Sequence, residues 1–243
     1  MGEMRADRFL SVTGAASRSE AKKAIRAGRL KRNGVPVTRP EEKLNLSADE
    51  LEFDGMPLTY EEYEYWALNK PAGIISATED LRHETVISYM GLKRKGMAPC
   101  GRLDIDTTGL LLVTDDGEMV HRLLSPARHV EKGYEVQYEG TLPEDATERA
   151  ARGLTLEDGT VCMPARLQST GMPALLFLKE GKFHQVKRMF AALGCPVTGL
   201  KRISFGPLKL DEMNLGEGAF RKLNAGEILQ LKTAAGTESE DAL

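Results

Sequence analysis

The chain has 243 residues, 41% of them hydrophobic and 28% charged, with a net charge of -3 at pH 7. That balance excludes wholesale disorder, and the length suits one large or two unequal domains. No run approaches the roughly 20 apolar residues that cross a bilayer, and the opening MGEMRADRF lacks the apolar stretch of a secretory signal, so a cytoplasmic protein without a membrane partner is expected.

Charge is unevenly spread. Between Met1 and Lys43 the basic residues, among them Arg18, Lys22, Lys23, Arg26, Arg29, Lys31 and Arg32, outnumber the acidic ones. Ser17 followed by Glu20 reads as a capping box, and Ala21, Ala24 and Ile25 then form the apolar stripe of a short helix that Gly28 stops. Lys22, Arg26 and Arg29 recur at spacings of four and three, which places them on the face away from that stripe. Leu30 to Val37, LKRNGVPV, reads as a hairpin, because Asn33 and Gly34 both tolerate the positive φ of a tight two-residue turn. A basic helix beside a basic hairpin suits a phosphate backbone, yet a merely solvated face has the same composition. The pattern RADRFL, then SRSEAKKAIRAGRLKRNGVPV, resembles the S4-like RNA-binding domain of small-subunit ribosomal protein four, over residues 4–60. That resemblance implies RNA as the partner, bound through the seven cations named above.

The acidic run DGMPLTYEEYE marks a change of composition, and a linker is expected at Pro57 to Glu62. Beyond it, Glu64 to Leu68 reads as a strand, Leu110 to Thr114 as a buried strand and Glu118 to Leu124 as a helix. Tyr134, Val136 and Tyr138 alternate as in a strand, Glu144 to Arg152 reads as a polar helix, and Leu175 to Leu178 as another strand. Val186, Met189, Phe190 and Leu193 lie at the i, i+3, i+4 and i+7 positions of a helix ended by Gly194. Without a regular β-α-β alternation, the expected class is α+β: a small N-terminal α/β domain, then a mixed, mainly antiparallel sheet flanked by helices. The expected boundaries are 1–60, 61–232, and a disordered acidic tail at 233–243.

Cys100, Cys162 and Cys195 form no C-x-x-C pair and the four histidines no ligand spacing, so no metal is expected and the thiols read as buried apolar groups. With no G-x-G-x-x-G and no P-loop, no nucleotide cofactor is expected either.

The segment GRLDIDTTGLLLVTDDG, Gly101 to Gly117, sets a carboxylate, Asp104, in a turn directly before a buried strand. On spacing alone Asp104 pairs as readily with Arg102, and Asp106 caps the turn. The whole segment resembles the signature of the RsuA-like ribosomal RNA pseudouridine synthases. LNKPAG at Leu68 to Gly73, K-x-Y at Lys132 to Tyr134 and EGKFHQVKRMF at Glu180 to Phe190 follow the same family in the same order. The resemblance implies uridine isomerisation without cofactor or metal. It assigns Asp104 the essential carboxylate, Tyr134 a stacking place against the target uridine, and Lys187 the cation that holds the aspartate. Arg102 would fill the space left by an extruded base. His184 is read as structural and left outside the catalytic set. Small-subunit ribosomal RNA, or the assembling subunit, is the expected partner of a monomer. Large-subunit RNA, or a non-catalytic assembly factor, are the alternatives. A glycoside hydrolase is disfavoured by the 6% aromatic content, with Trp66 as the single tryptophan.

Overall fold

The computed structural model describes residues 2–128, 130–169 and 171–237. The chain divides into two compact units, the first reaching Glu64 and including Gly91–Met97, the second formed by Tyr65–Met90 and the residues from Ala98 onward.

In the first unit β1 (Glu3–Arg5) leads into α1 (Ala6–Val12), followed by α2 (Arg18–Arg26), β2 (Leu30–Arg32), β3 (Val35–Pro36), β4 (Lys43–Asn45), β5 (Leu51–Phe53) and β6 (Met56–Pro57). β1 pairs with β4, and the other strands form a sheet in the order β3-β2-β5-β6. Phe9, Leu10, Ile25, Leu30 and Leu44 are wholly buried between helices and strands. Each such side chain contributes about 1.5–3 kcal/mol of apolar burial. The capping box forms in both directions: Glu20 N–H donates to Ser17 Oγ and Ser17 N–H to the Glu20 carboxylate. Ala21, Ala24 and Ile25 face the core, and the hairpin turns at Asn33 (φ +52°) and Gly34 (φ +79°).

Leu58 and Tyr60 pack against this same core. The stretch expected as a linker therefore belongs largely to the first unit, because apolar side chains stand among its acids.

The second unit contains β7 (Tyr65–Lys70), α3 (Val86–Tyr89), β8 (Ala98–Pro99), β9 (Thr108–Thr114), α4 (Gly117–Leu124), β10 (Lys132–Tyr138) and α5 (Ala146–Arg152). It continues with β11 (Arg166–Gln168), β12 (Ala174–Leu178), α6 (Gln185–Ala192), β13 (Val197–Phe205), β14 (Leu208–Lys209), β15 (Phe220–Lys222) and α7 (Ala225–Ala235). The sheet runs β11-β12-β10-β13-β9-β7-β15, with β14 paired to β13 and β8 to β9. β9 and β13 are parallel, and the other pairs in the sheet are antiparallel. This is the mixed, mainly antiparallel architecture expected from the sequence. β9 reads as a near-continuous apolar run because it is buried on both faces, from Gly109 to Thr114. One apolar cluster gathers α5 and α6 on β10–β12, and another gathers α4 and α7 beside β7 and β9.

α7 extends to Ala235, which is fully buried, so the disordered tail does not start at Thr233. An Asn224–Glu227 capping box starts this helix, and Gly236 in the left-handed region ends it. The rest of the expected tail, from 238, lies outside the described residues. Among the described residues no helix is long and apolar enough to cross a membrane.

Candidate active site

The Asp104 loop is fixed from both sides by the strand-end segment LNKPAG and its continuation. Leu103 N–H donates to Ser76 Oγ, and the same hydroxyl donates back to the Leu103 carbonyl, each at 3.0 Å. Gly73 N–H donates to the Ile105 carbonyl at 2.8 Å. Lys70, at the end of β7, is 0% exposed, and its Nζ donates to the carbonyls of Pro71 (2.9 Å), Ile105 (3.3 Å) and Thr107 (2.9 Å). An ammonium has three donors, and three carbonyls take them. Burial pushes the Lys70 pKa down to about 8, while Asp106 and Asp104 oppose that shift. The backbone around Asp104 is thus held before any substrate arrives, and its side chain stays 29% exposed.

Gly109 closes the loop. Its φ is +102°, and a Cβ there would collide with the Arg202 carbonyl and lie 2.7 Å from the Arg202 nitrogen. Only glycine lets β9 start this close to β13.

The opposing wall is the N-terminal end of α6. Glu180 collects the Gln185 amide, the Lys182 ammonium and the Met163 N–H, locking the EGKFHQ turn. His184, in the left-handed region at φ +46°, then starts the helix. Val186, Met189 and Phe190 enter the core, which leaves Lys187 on the other flank. Its Nζ lies 3.2 Å from Asp104 Oδ2, and 2.7 and 2.9 Å from the two oxygens of Asp106. Burial acts to lower the Lys187 pKa, but the hydrogen bonds with Asp106 and Asp104 outweigh it and the net shift is upward. The same bond from Lys187 holds Asp106 below the usual carboxylate range. His184 Nε2 is 3.5 Å from Asp104 Oδ1, and its ring stacks on Phe183 at 3.8 Å.

Asp104 and Lys187 therefore meet, whereas Arg102 does not pair with Asp104: it is exposed and makes no ion pair among the described residues. Tyr134 is half-buried on β10, opposite Arg202, which in turn lies opposite Gly109. It sits two strands from the start of β9, roughly 10 Å across the sheet, with no hydrogen bond to Asp104 among the described residues. Asp106, Lys70 and Glu180 are the site residues that sequence reasoning missed. The first carried a signal, an acid two residues beyond Asp104 on the same turn. His184, set aside as structural, lies at the carboxylate. Among the described residues no group of three or more side chains is placed to hold a metal ion.

The seven N-terminal cations implied to bind RNA fall into two sets. Arg29, Lys31 and Arg32 are engaged by Asp54, Glu52 and Glu42 at 2.5, 2.9 and 2.8 Å. Arg18, Lys22, Lys23 and Arg26 on α2 are exposed and form no ion pair among the described residues.

A buried-backbone loop carrying an aspartate, faced by a helix lysine on a mixed sheet, defines a class when set beside known proteins. The RNA pseudouridylate synthase family matches residues 64–192 and the S4 domain matches residues 4–50. The chain belongs to the RsuA-like family of RNA pseudouridine synthases. It is 39% identical to the ribosomal small subunit pseudouridine synthase A of Haemophilus influenzae, across 94% of this chain and 99% of that protein. The enzyme of the same name from Escherichia coli K12 is also 39% identical, with 93% and 98% covered. An uncharacterized RNA pseudouridine synthase of Bacillus subtilis, YtzG, is 38% identical, with 93% and 97% covered. A crystal structure of a pseudouridylate synthase superposes with a TM-score of 0.64 at 38% identity, covering 94% of this chain and 99% of that one.

Proposed function

We propose that this enzyme converts a uridine of small-subunit ribosomal RNA to pseudouridine in the cytoplasm, as a monomer, with Asp104 as the essential carboxylate and without a cofactor. The observation that carries the reading is the Lys187 ammonium 3.2 Å from Asp104 Oδ2, on a loop whose backbone is already fixed. The choice of small-subunit RNA rests on the relatives that bear that name.

The reaction breaks the bond from uracil N1 to ribose C1′, turns the base and forms a bond from C5 to C1′. The C5 hydrogen leaves as a proton and N1 gains one, so no electrons are exchanged with an outside reagent. A carboxylate serves this chemistry by attacking covalently or by stabilising cationic character on the sugar. Both routes need the charge of Asp104 held in one orientation, which Lys187 provides. In this reading Tyr134 stacks against the uracil and receives the C5 proton. Arg102, exposed and in no ion pair among the described residues, fills the gap left in the RNA stack. The α2 cations, which form no ion pair among the described residues, neutralise phosphates along the backbone.

The test is carbodiimide-adduct primer extension on ribosomal RNA from cells with the gene, without it, or with Asp104→Asn. A single stop in small-subunit RNA that appears with the wild-type gene alone is the expected result. A stop that persists with Asp104→Asn removes the catalytic assignment, and a stop in large-subunit RNA moves the substrate.

A further inference from the structure

A cleft in the first unit is not used by the reading above. It encloses about 390 Å³ and is lined by Ser17, Glu20, Arg29 and Phe53 of the N-terminal fold together with Lys93 and Lys95. The two lysines belong to Gly91–Met97, a segment that leaves the sheet unit after α3, packs with the first unit and returns at β8.

This segment is anchored. Arg94 donates to the Glu61 carbonyl at 2.9 Å and to the Glu62 carbonyl at 2.5 Å, and lies 3.8 Å from Glu64 with its side chain 8% exposed. Its backbone rests on Gly14 (φ +72°), where a Cβ would come within 3.1 Å of the Arg94 nitrogen. Burying the central arginine turns its neighbours outward. Lys93 and Lys95 are exposed and form no ion pair among the described residues. The one acid lining the cleft, Glu20, is already used by the Ser17 N–H in the capping box, at 3.0 Å, and feels Lys93 only as a more distant charge. Across the cleft the Arg29 guanidinium lies 5.2 Å from the centre of the Phe53 ring.

We infer that Gly91–Met97 is an RNA-binding element, and that this cleft takes a stretch of RNA backbone with phosphates at Lys93 and Lys95. Two ammonium groups in no ion pair among the described residues, on either side of a buried arginine, meet the electrostatic need of adjacent phosphates. The Arg29–Phe53 layer offers a flat surface to an unpaired nucleoside. The inference rests on the RNA reading of the first unit, but its two lysines lie outside the S4 match at 4–50.

The experiment titrates the full chain with a fluorescent single-stranded RNA of mixed sequence at several KCl concentrations, for wild type, Lys93→Gln/Lys95→Gln and the control Lys209→Gln. Lys209 sits on β14 and pairs with Glu212. The expected result for the double variant is a Kd raised about tenfold at low salt. Its log K against log salt slope should shrink by about 1.4, at about 0.7 per phosphate on single strands. An unchanged slope, an equal loss in the Lys209→Gln control, or no binding by wild type overturns the inference. A charge-reversed Lys93→Glu/Lys95→Glu variant with an unchanged melting temperature must lose more affinity still. Pseudouridine formation in the same samples keeps the two readings apart. At saturating RNA the double variant retains the wild-type kcat, and failure of wild type to form product counts against the catalytic reading alone.

Discussion

Lys187 grips Asp106 through both carboxylate oxygens, at 2.7 and 2.9 Å, more closely than it approaches Asp104 at 3.2 Å. The ammonium is thereby shared between an acid whose side chain is 65% exposed and one that is 29% exposed. On the proposed function, Asp106 positions the cation and Asp104 is the group that acts on the uridine.

Lys187→Met is accordingly expected to lower kcat at least about 100-fold, the equivalent of about 2.7 kcal/mol. Asp106→Asn should cost only about tenfold in kcat, with KM unchanged. Single-turnover kinetics on a ribosomal RNA fragment separates the two. Equal losses from both substitutions would contradict this division of roles.

Lys70 ties stability to pH in an unusual direction. Its folded pKa of about 8 lies below the ordinary lysine value of about 10.4. Between those values the unfolded chain binds more protons than the folded one, so the free energy of unfolding rises with pH. The contribution is flat below about 8 and flat again above about 10.4. Urea melts from pH 7 to 10.5 should show wild type gaining on Lys70→Met across that window. Over the same range kcat should fall, because a neutral amine has two hydrogens for the carbonyls of Pro71, Ile105 and Thr107.

Gly109→Ala should destabilise the protein by at least about 2 kcal/mol, since the added methyl meets the Arg202 backbone and a positive φ penalises any side chain. Thermal melting measures it. A change within about 0.5 kcal/mol, the range of an ordinary surface substitution, would mean that β9 and β13 can part without cost.

Lys22→Gln/Arg26→Gln and Arg29→Gln probe the two sets of N-terminal cations. The α2 pair should reduce the salt dependence of RNA binding by about 1.4. Arg29→Gln should change it far less, because Asp54 already neutralises that guanidinium at 2.5 Å. Filter binding across a salt series gives the slopes.

Local rules made much of this fold legible. Ser17 and Glu20 announced α2, Asn33-Gly34 the hairpin, and Val186, Met189 and Phe190 the buried face of α6. Several of the strands missed are only two or three residues long. β5 escaped because Leu51–Phe53 is short and partly polar, and its turn, Asp54-Gly55, was absorbed into an acidic run. Glu52 and Asp54 then neutralise the cations of the hairpin, a pairing that charge counts along the chain do not reveal. At the site, the meeting of Asp104 and Lys187 was expected from motif resemblance. The role of Lys70 was not, because three backbone carbonyls leave no side-chain signature.

The strand order also dictates when the protein becomes an enzyme. β13 slots between β9 and β10, both synthesised before it, and β15 later covers the open border of β7. A nascent chain that has exposed the Asp104 loop still lacks α6, with its lysine, and the strand that braces Gly109. Translation must run nearly to α7 before the catalytic apparatus can assemble, so a polysome carrying this message holds inert intermediates with an unprotected sheet border. Chaperone demand during synthesis should therefore fall on the second unit, while the N-terminal fold, built from local contacts, matures first.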